Sequence, residues 1–470
     1  MRFKVKNMAR INEADIDVKP LTIFVGQNGV NKSYLAHLSY EIYKIFGSID
    51  ETVNSNIVID ILNMMFNKEG FKSRLDFINS LKTTETEEFE RYQIDEDQFE
   101  EDIYIKINYK IDIDDTRTFQ FLETIKEFVL EYFLIRFNKS YNVNSLILEE
   151  IYFDIDLKEV FKSGLISVRK SSDDEQKNAI GLLKRIVMRI LKHLASTIDK
   201  EKCFYFPSSR TGFVLAFDEI VAGVFRDKFG GQPTATKLTE PTIDFLSYFA
   251  DMKTGKYRDD MFFMWHFDAT KNEDKEINNI IKFIEQNIIQ GKLLEEKIDN
   301  SYTQYFLKTG NKKLDLHVTS SATIELLPLI VFLKHFAKID NKFLVIEEPE
   351  AHLHPKAQIE MARFIVMLVN AGAKVMITTH SDYILSEINN LIKLSAIDED
   401  RKAEYRKQYK IDRDISIKSS QVSAYLFKTQ KDNSVDVNKL EIDEYGISNE
   451  NFDEVLDELT DRTSLLNEWI

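Results

Sequence analysis

Apolar runs that stop abruptly at charge set the frame of this chain. At 343–346, Phe343, Leu344, Val345 and Ile346 read as a buried strand, and Glu347 and Glu348 stand where it ends. Two adjacent carboxylates at a strand end suit a nucleotide site, one to hold Mg²⁺ and one to position an attacking water. Near the start of the chain, Phe3, Val5 and Met8, then rough alternation over 11–18, predict two short strands. A third, 21–25, runs straight into a glycine loop, after which Leu35, Leu38, Ile42 and Ile45 recur at helical spacing. Strand, loop and helix in that order form the context a phosphate loop requires.

From about residue 50 the pattern changes. Residues 57–66, 71–81, 118–137 and 176–196 read as helices, and 103–113 alternates cleanly as a half-buried strand. Glu85, Glu87, Glu88, Glu90, Asp95, Glu96, Asp97, Glu100, Glu101 and Asp102 face a lone Arg91, a run read as a solvated loop or helix face. The alternative is contact with a basic partner. Lys184, Arg185, Arg189, Lys192 and His193 form a basic set on the last of these helices, read as a solvated face against the alternative of a nucleic-acid surface. Residues 50–199 are therefore expected to be a mainly helical insertion lobe between two parts of a core, 1–49 and 200–470.

The second part resumes with a buried strand at 203–206 that ends in a polar loop. A helical sub-lobe over about 213–300 closes with a helix at 277–298. Strands at 302–307 and 313–318 lead to a Ser-Ser loop at 320–321 and an apolar helix over 325–336. After the Glu-Glu strand come a helix over 355–370 stopped near Gly372 and a strand at 374–378. Short strands around 424–427 and 435–442 and a helix at 451–461 complete the reading. No repeat period appears.

Composition narrows the class. The 470 residues exceed one ordinary core, and 7 Pro with 15 Gly argue against long disordered linkers. The single cysteine, Cys203, cannot form an internal disulfide, so a reducing cytoplasm is expected. The first residues are too short and too alternating for a secretory signal, and no apolar run approaches the roughly 20 residues that span a bilayer. A net charge of −16 disfavours nonspecific nucleic-acid binding by the whole surface, though a local basic patch stays open.

The loop GQNGVNKS comprises Gly26, Gln27, Asn28, Gly29, Val30, Asn31, Lys32 and Ser33, and departs from the phosphate-loop pattern only at Asn31, where glycine is usual. Successive backbone N–H groups and the helix N-terminus would face the phosphates, with Lys32 bridging the β- and γ-phosphates and Ser33 ligating Mg²⁺. Asn is the next most tolerant residue for left-handed backbone, so binding should survive and turnover slow. Glu347 would reach Mg²⁺ and Glu348 would polarise the water. His380, also at the tip of an apolar strand, is either structural or a hydrogen-bonding sensor of the γ-phosphate. His352 and His354 lack a third ligand at metal-site spacing, and the loop's own hydrogen bonding is the preferred reading.

The order of phosphate loop, Ser-Ser loop, EEPEAHLHP (347–355) and TTHS (378–381) resembles ABC-type ATPases of the SMC/Rad50/OLD branch, above all the bacterial AAA15/AAA21 group. CFYFPSSRTG (203–212) and EYGI (444–447) are similar to elements of that group, so the likeness covers about 1–45 and 200–455. It implies an α/β fold: an ABC-type (SMC/Rad50-like) ATPase head with a mixed sheet and a helical insertion lobe, binding ATP and Mg²⁺. It also implies that Ser320 and Ser321 reach the γ-phosphate across a head-to-tail dimer, that Glu350 and Ala351 lie between the two sites, and that Arg210 belongs to the nucleotide-binding set. Ala322 stands where the family usually has glycine; with Asn31, this points to slow hydrolysis or an ATP-held assembly.

OLD-family nucleases add a Toprim domain with a Glu and an Asp-x-Asp cluster. No apolar strand ending in Glu-Gly and followed by Asp-x-Asp comes after His380, so no built-in nuclease is expected. The chain is similar to ATPase subunits of the PARIS and Septu anti-phage systems. The resemblance thus implies a homo-oligomeric ATP-dependent scaffold that holds a separate nuclease or toxin effector and answers a phage trigger. Two other readings stay open: a Rad50/RecF-type repair ATPase acting directly on DNA, and a nucleotide-binding scaffold with almost no turnover.

Overall fold

The computed structural model describes residues 1–47, 55–67, 83–90, 104–111, 114–140, 147–152, 157–161, 165–169, 175–197, 203–217, 220, 238–254, 274–299, 302–335, 339–340, 342–409, 411 and 415–448. The chain opens with β1 (Arg2–Met8), β2 (Ile11–Asp17) and β3 (Leu21–Gly26), then helix α1 (Lys32–Gly47). It divides into two compact units, one of residues 1–8 and 44–200, the other of 9–43 and 201–470.

The first unit holds α2 (Ser55–Asn67), β4 (Thr83–Glu90), β5 (Tyr104–Ile111), α3 (Thr116–Ser140), β6 (Ile147–Tyr152), α4 (Leu157–Val160), β7 (Leu165–Arg169) and α5 (Glu175–Thr197). Val58, Ile61, Leu62 and Met65 form one buried stripe of α2, and Leu122, Ile125 and Val129 another on α3. On α5, Leu182, Leu183, Ile186, Val187, Ile190 and Leu191 are buried. Beside these helices the lobe carries strands: β5 lies between β4 and β7 in an antiparallel sheet, and β6 pairs antiparallel with β1. The acidic run is corrected accordingly over its first third. Residues 83–90 are a strand in antiparallel register with β5, Glu88 opposite Lys106 and Glu85 opposite Tyr109. The rest of the run, and the helices expected at 71–81 and 451–461, lie outside the described residues.

The second unit continues with β8 (Cys203–Phe206), α6 (Arg210–Leu215), α7 (Glu240–Thr254) and α8 (Lys275–Asn287), then β9 (Lys292–Asp299), β10 (Tyr302–Thr309) and β11 (Lys312–Asp315). The helix expected over 277–298 therefore ends early. Gln290 takes a φ of +52° and the Gly291 N–H donates to the Glu285 carbonyl, closing α8 and releasing 292–299 into an antiparallel sheet with β10 and β11. Next come α9 (Ser321–His335), β12 (Phe343–Glu347), α10 (Pro355–Asn370), β13 (Lys374–Thr379), α11 (Asp382–Ala396) and α12 (Glu399–Tyr409). The described chain closes with β14 (Val422–Thr429), β15 (Val435–Lys439), β16 (Ile442–Asp443) and β17 (Gly446–Ile447).

Within this unit the strands run β2-β15-β14-β3-β13-β12-β8, mixed in direction, with β14-β3, β3-β13, β13-β12 and β12-β8 all parallel. This is an α/β architecture. β3, β12 and β13 are buried along nearly their whole length, as continuous apolar runs covered on both faces must be. Helix α10 starts at Pro355 with His354 as N-cap and ends before Gly372, whose φ of +92° few other residues tolerate. No helix among the described residues is long and apolar enough to cross a membrane.

Candidate nucleotide site

Three neighbouring parallel strands deliver the chemistry to one edge of the sheet. β3 ends in the glycine loop, β13 in His380, and β12 in Glu347 and Glu348, with Val25 in register with Thr379 and Thr378 with Glu347. Ligands of open α/β sheets bind at carboxyl ends such as these.

In the loop, Gln27, Asn28 and Gly29 are exposed while Val30 is buried and anchors it. Gly26 is required by its neighbour: a Cβ there would stand 2.5 Å from the Phe427 carbonyl oxygen. Gly29 (φ +80°) and Asn31 (φ +65°) are both left-handed, so Asn31 adopts the backbone that its replacement of glycine demands. Its Oδ1 is buried without a hydrogen-bond partner. Arg10 braces the loop from outside, donating to the Gly29 carbonyl at 3.1 Å and to the Asn433 carbonyl at 2.6 Å.

Lys32 is buried and donates to the Gly26 and Gln27 carbonyls, both at 2.7 Å. Burial pushes its ammonium below the usual lysine range, and Glu348, then Glu350, then Glu347 oppose that shift. The lysine thus lies within electrostatic reach of three carboxylates. Ser33, half-buried, is the second residue of α1.

Glu347 is only 4% exposed. Its Oε2 accepts from the Ser208 N–H at 3.2 Å, its Oε1 has no hydrogen-bond partner, and His37 Nε2 lies 4.0 Å from that same oxygen. Burial pushes the His37 imidazole down, with Glu347 opposing. A buried carboxylate oxygen with no donor is what a hard cation needs, and Ser33 supplies a second oxygen; these residues fit Mg²⁺ carried in with phosphate. Glu348 is half-buried and holds a φ of +42°, a conformation that costs about 1–3 kcal/mol in a non-glycine residue. Its N–H donates to the Thr378 carbonyl at 2.8 Å, which keeps the backbone there.

His380 is 43% exposed at the side chain, with Nδ1 3.3 Å from Glu350 Oε1. The same oxygen accepts from Thr379 Oγ1 and the His380 N–H, each at 2.7 Å. Glu350 thereby orients the ring, and Nε2 is the nitrogen it leaves unengaged. His354 Nδ1 accepts from the Lys356 N–H at 3.3 Å, a helix-capping role, and His352 is exposed.

Arg210 requires correction. It does not face a nucleotide: its side chain is wholly buried and paired at 2.5 Å with the equally buried Glu325 of α9. Nη1 donates to the carbonyls of Phe206, Pro207 and Glu347 at 3.2, 2.9 and 2.7 Å, and Nη2 to that of Glu348 at 3.3 Å. Burial pushes the guanidinium down, and Glu325 is the largest opposing influence. Removing one partner of such a pair costs about 3–5 kcal/mol. The sequence signal for this partner was a lone acid, Glu325, inside an otherwise apolar helix; His37, Arg10 and Ser208 carried no comparable signal.

Ser320 and Ser321 stand apart from this cluster in character. Both are exposed at the start of α9, where Ser320 Oγ pairs with Thr323 Oγ1 at 3.0 Å and accepts from the Thr323 N–H at 3.3 Å. Among the described residues, no hydrogen bond or ion pair joins them to Lys32 or Glu348 within the chain.

Residues 1–385 match the profile of the AAA_15 family, described as an AAA ATPase domain. No curated protein sequence matches the chain. Among solved structures, an Smc head bound to the C-winged helix domain of ScpA is similar at 12% identity and a TM-score of 0.36, covering 94% of this chain and 98% of that one. An Smc head with an extended coiled coil, bound to the C-terminal domain of ScpA derived from Pyrococcus furiosus, is similar at 11% and 0.34, covering 99% and 98%. The SMC head domain from Thermotoga maritima gives 10% and 0.29, covering 94% and 99%.

Proposed function

Because this chain belongs to the AAA_15 family of ATPase domains, we propose that it binds Mg²⁺ and ATP at the ends of β3, β12 and β13 and hydrolyses ATP between two copies of itself. The observation that carries this reading is the placement of Lys32, Glu347, Glu348 and His380 on three adjacent parallel strand ends, with Lys32 in electrostatic reach of the glutamates. Bound Mg²⁺ would neutralise phosphate charge and act as a Lewis acid. The residues from Gly26 to Ser33 offer backbone amides, Lys32 exchanges two carbonyl acceptors for phosphate oxygens, and Ser33 and Glu347 hold the cation. Glu348 takes a proton from water and His380 donates from Nε2. Ser320 and Ser321, exposed at the N-terminus of a 15-residue helix, serve the partner copy's site.

At the cellular level the same reading makes the chain a cytoplasmic homo-oligomeric scaffold of a bacterial anti-phage system. In it, ATP-held assembly would retain a separate nuclease or toxin effector until a phage trigger acts. The likeness of the motif order to such subunits supports this, as does the pair Asn31 and Ala322, which favours slow turnover. A Lys32→Ala chain should lose at least tenfold in ATP affinity, about 1.4 kcal/mol, in a fluorescent-nucleotide titration; it should also lose protection against phage while staying folded. Unchanged affinity would remove the phosphate-loop assignment. A nuclease or toxin gene beside this one would identify the effector.

A second reading, direct action on DNA, draws on Lys184, Arg185 and Lys192, which are exposed together on α5, whereas Arg189 lies over the Phe161 ring at 5.6 Å. It requires duplex binding that weakens steeply between two salt concentrations, and weaker binding on charge reversal at Lys184 and Arg185.

A further inference from the structure

The Arg210–Glu325 pair is fully buried, yet a matched apolar pair could fill such a site with equal or better stability. Its contacts point to a different use. From one guanidinium, hydrogen bonds reach the carbonyls of Glu347 and Glu348, the residues assigned to the cation and the water. From Glu325, the other carboxylate oxygen accepts from the Thr211 N–H at 3.1 Å and from its hydroxyl at 2.6 Å. Between these anchors, the Ser208 N–H holds the Glu347 carboxylate. Segment 206–211 is thus a bracket bolted to the acidic strand end on one side and to α9 on the other.

Glu325 lies one helical turn beyond Ser321. Residues Thr323 to Leu333 of α9 are buried without a break, and Ser321 and Glu325 share the helical turn that precedes Pro328, so the exposed start of the helix and the buried carboxylate are coupled through a single turn. At the far end of the bracket, Glu348 holds a left-handed backbone that depends on its neighbours, one of which is Arg210. We infer that Arg210 and Glu325 are positioning residues that transmit engagement of Ser320 and Ser321 by a second copy to the backbone of Glu348, so that the water-activating carboxylate is set only when both copies are in place. This rests on the shared-site reading above.

The test removes both charges at once, R210M/E325L, so that no lone buried charge remains. The full-length variant should fold, bind a fluorescent ATP analogue within threefold of the parent, and still self-associate when given Mg²⁺ and ATPγS. Its kcat should fall at least tenfold with little change in KM. Hydrogen exchange over 347–351, which should slow at least fivefold on nucleotide-driven assembly of the parent, should slow less than twofold in the variant. If the double variant does not fold, R210K, which keeps the charge pair but lacks the planar fork that spans the carbonyls of Glu347 and Glu348, carries the same test, with a smaller drop in kcat and the same loss of assembly-linked protection. Parental kcat with parental protection would overturn the inference, as would loss of nucleotide binding in step with turnover, the mark of a mere scaffold. Absence of nucleotide-driven assembly in the parent would overturn the shared-site reading, and this inference with it.

Discussion

The acidic strand ends and the start of α9 belong to one unit but are finished to different degrees. Around Glu347, Glu350 and Lys32 the polar atoms are buried and mostly paired: Lys32 on two carbonyls, Glu350 on Thr379 and His380, Glu347 on Ser208. At Ser320 and Ser321 the hydroxyls are exposed, and Ser320 is occupied only with capping its own helix. A group that is to work inside its own chain gets buried and oriented by neighbours; one that is to work on another molecule must stay on the surface. On the function proposed above, the contrast is that of two half-sites, one carrying the cradle and the base, the other open to a partner's phosphate.

The largest expected effect tests the finished half. Glu348→Gln keeps shape and hydrogen bonding but cannot accept a proton, so phosphate release should fall about 100-fold or more, within the range of general-base losses. ATP should remain bound and the assembled species should accumulate on size-exclusion chromatography. Normal hydrolysis by this variant would remove the base assignment. The exposed half gives an intermediate effect. Ser321→Arg should leave ATP affinity of the isolated chain within about threefold, since on the shared-site reading the residue serves the partner's nucleotide and not its own, yet abolish the rise of specific activity with protein concentration that a shared site requires. If affinity fell as far as activity, the two half-sites would be one.

The smallest effect sharpens the comparison at the two departures from glycine. Asn31→Gly relieves a left-handed Asn and Ala322→Gly loosens the start of α9; each should raise turnover by about two- to fivefold, seen in steady-state phosphate release. Gly at 322 should also lower the melting temperature slightly, because glycine is the poorer helix former.

Legibility followed the range of the physics. β3, β12 and β13 were readable almost to the residue, since a strand buried on both faces is an unbroken apolar run, and α10 was readable from Pro355 to Gly372 by its caps. Asn31 was readable as a left-handed position because its place in the loop pattern dictates the backbone. β4 was not, since its glutamates masked a Thr-rich strand whose partner lies at 104–111. β9 was not either: apolar spacing from Ile277 onward continues past the turn at Gln290 and Gly291 that ends the helix. Arg210 was seen but misassigned, because a polar loop after a buried strand looks like a ligand loop until its carbonyl partners are known.

By itself, then, the sequence determined the strands that end in the glycine loop, in the paired glutamates and in His380, since loop, carboxylate and capping signals act over a few neighbouring residues. Only the tertiary structure decided the strand order that brings them to one edge, and the burial of Arg210 against Glu325. Both depend on pairings between residues far apart in the chain, whose electrostatics and hydrogen bonds come into being only when folding excludes water around them.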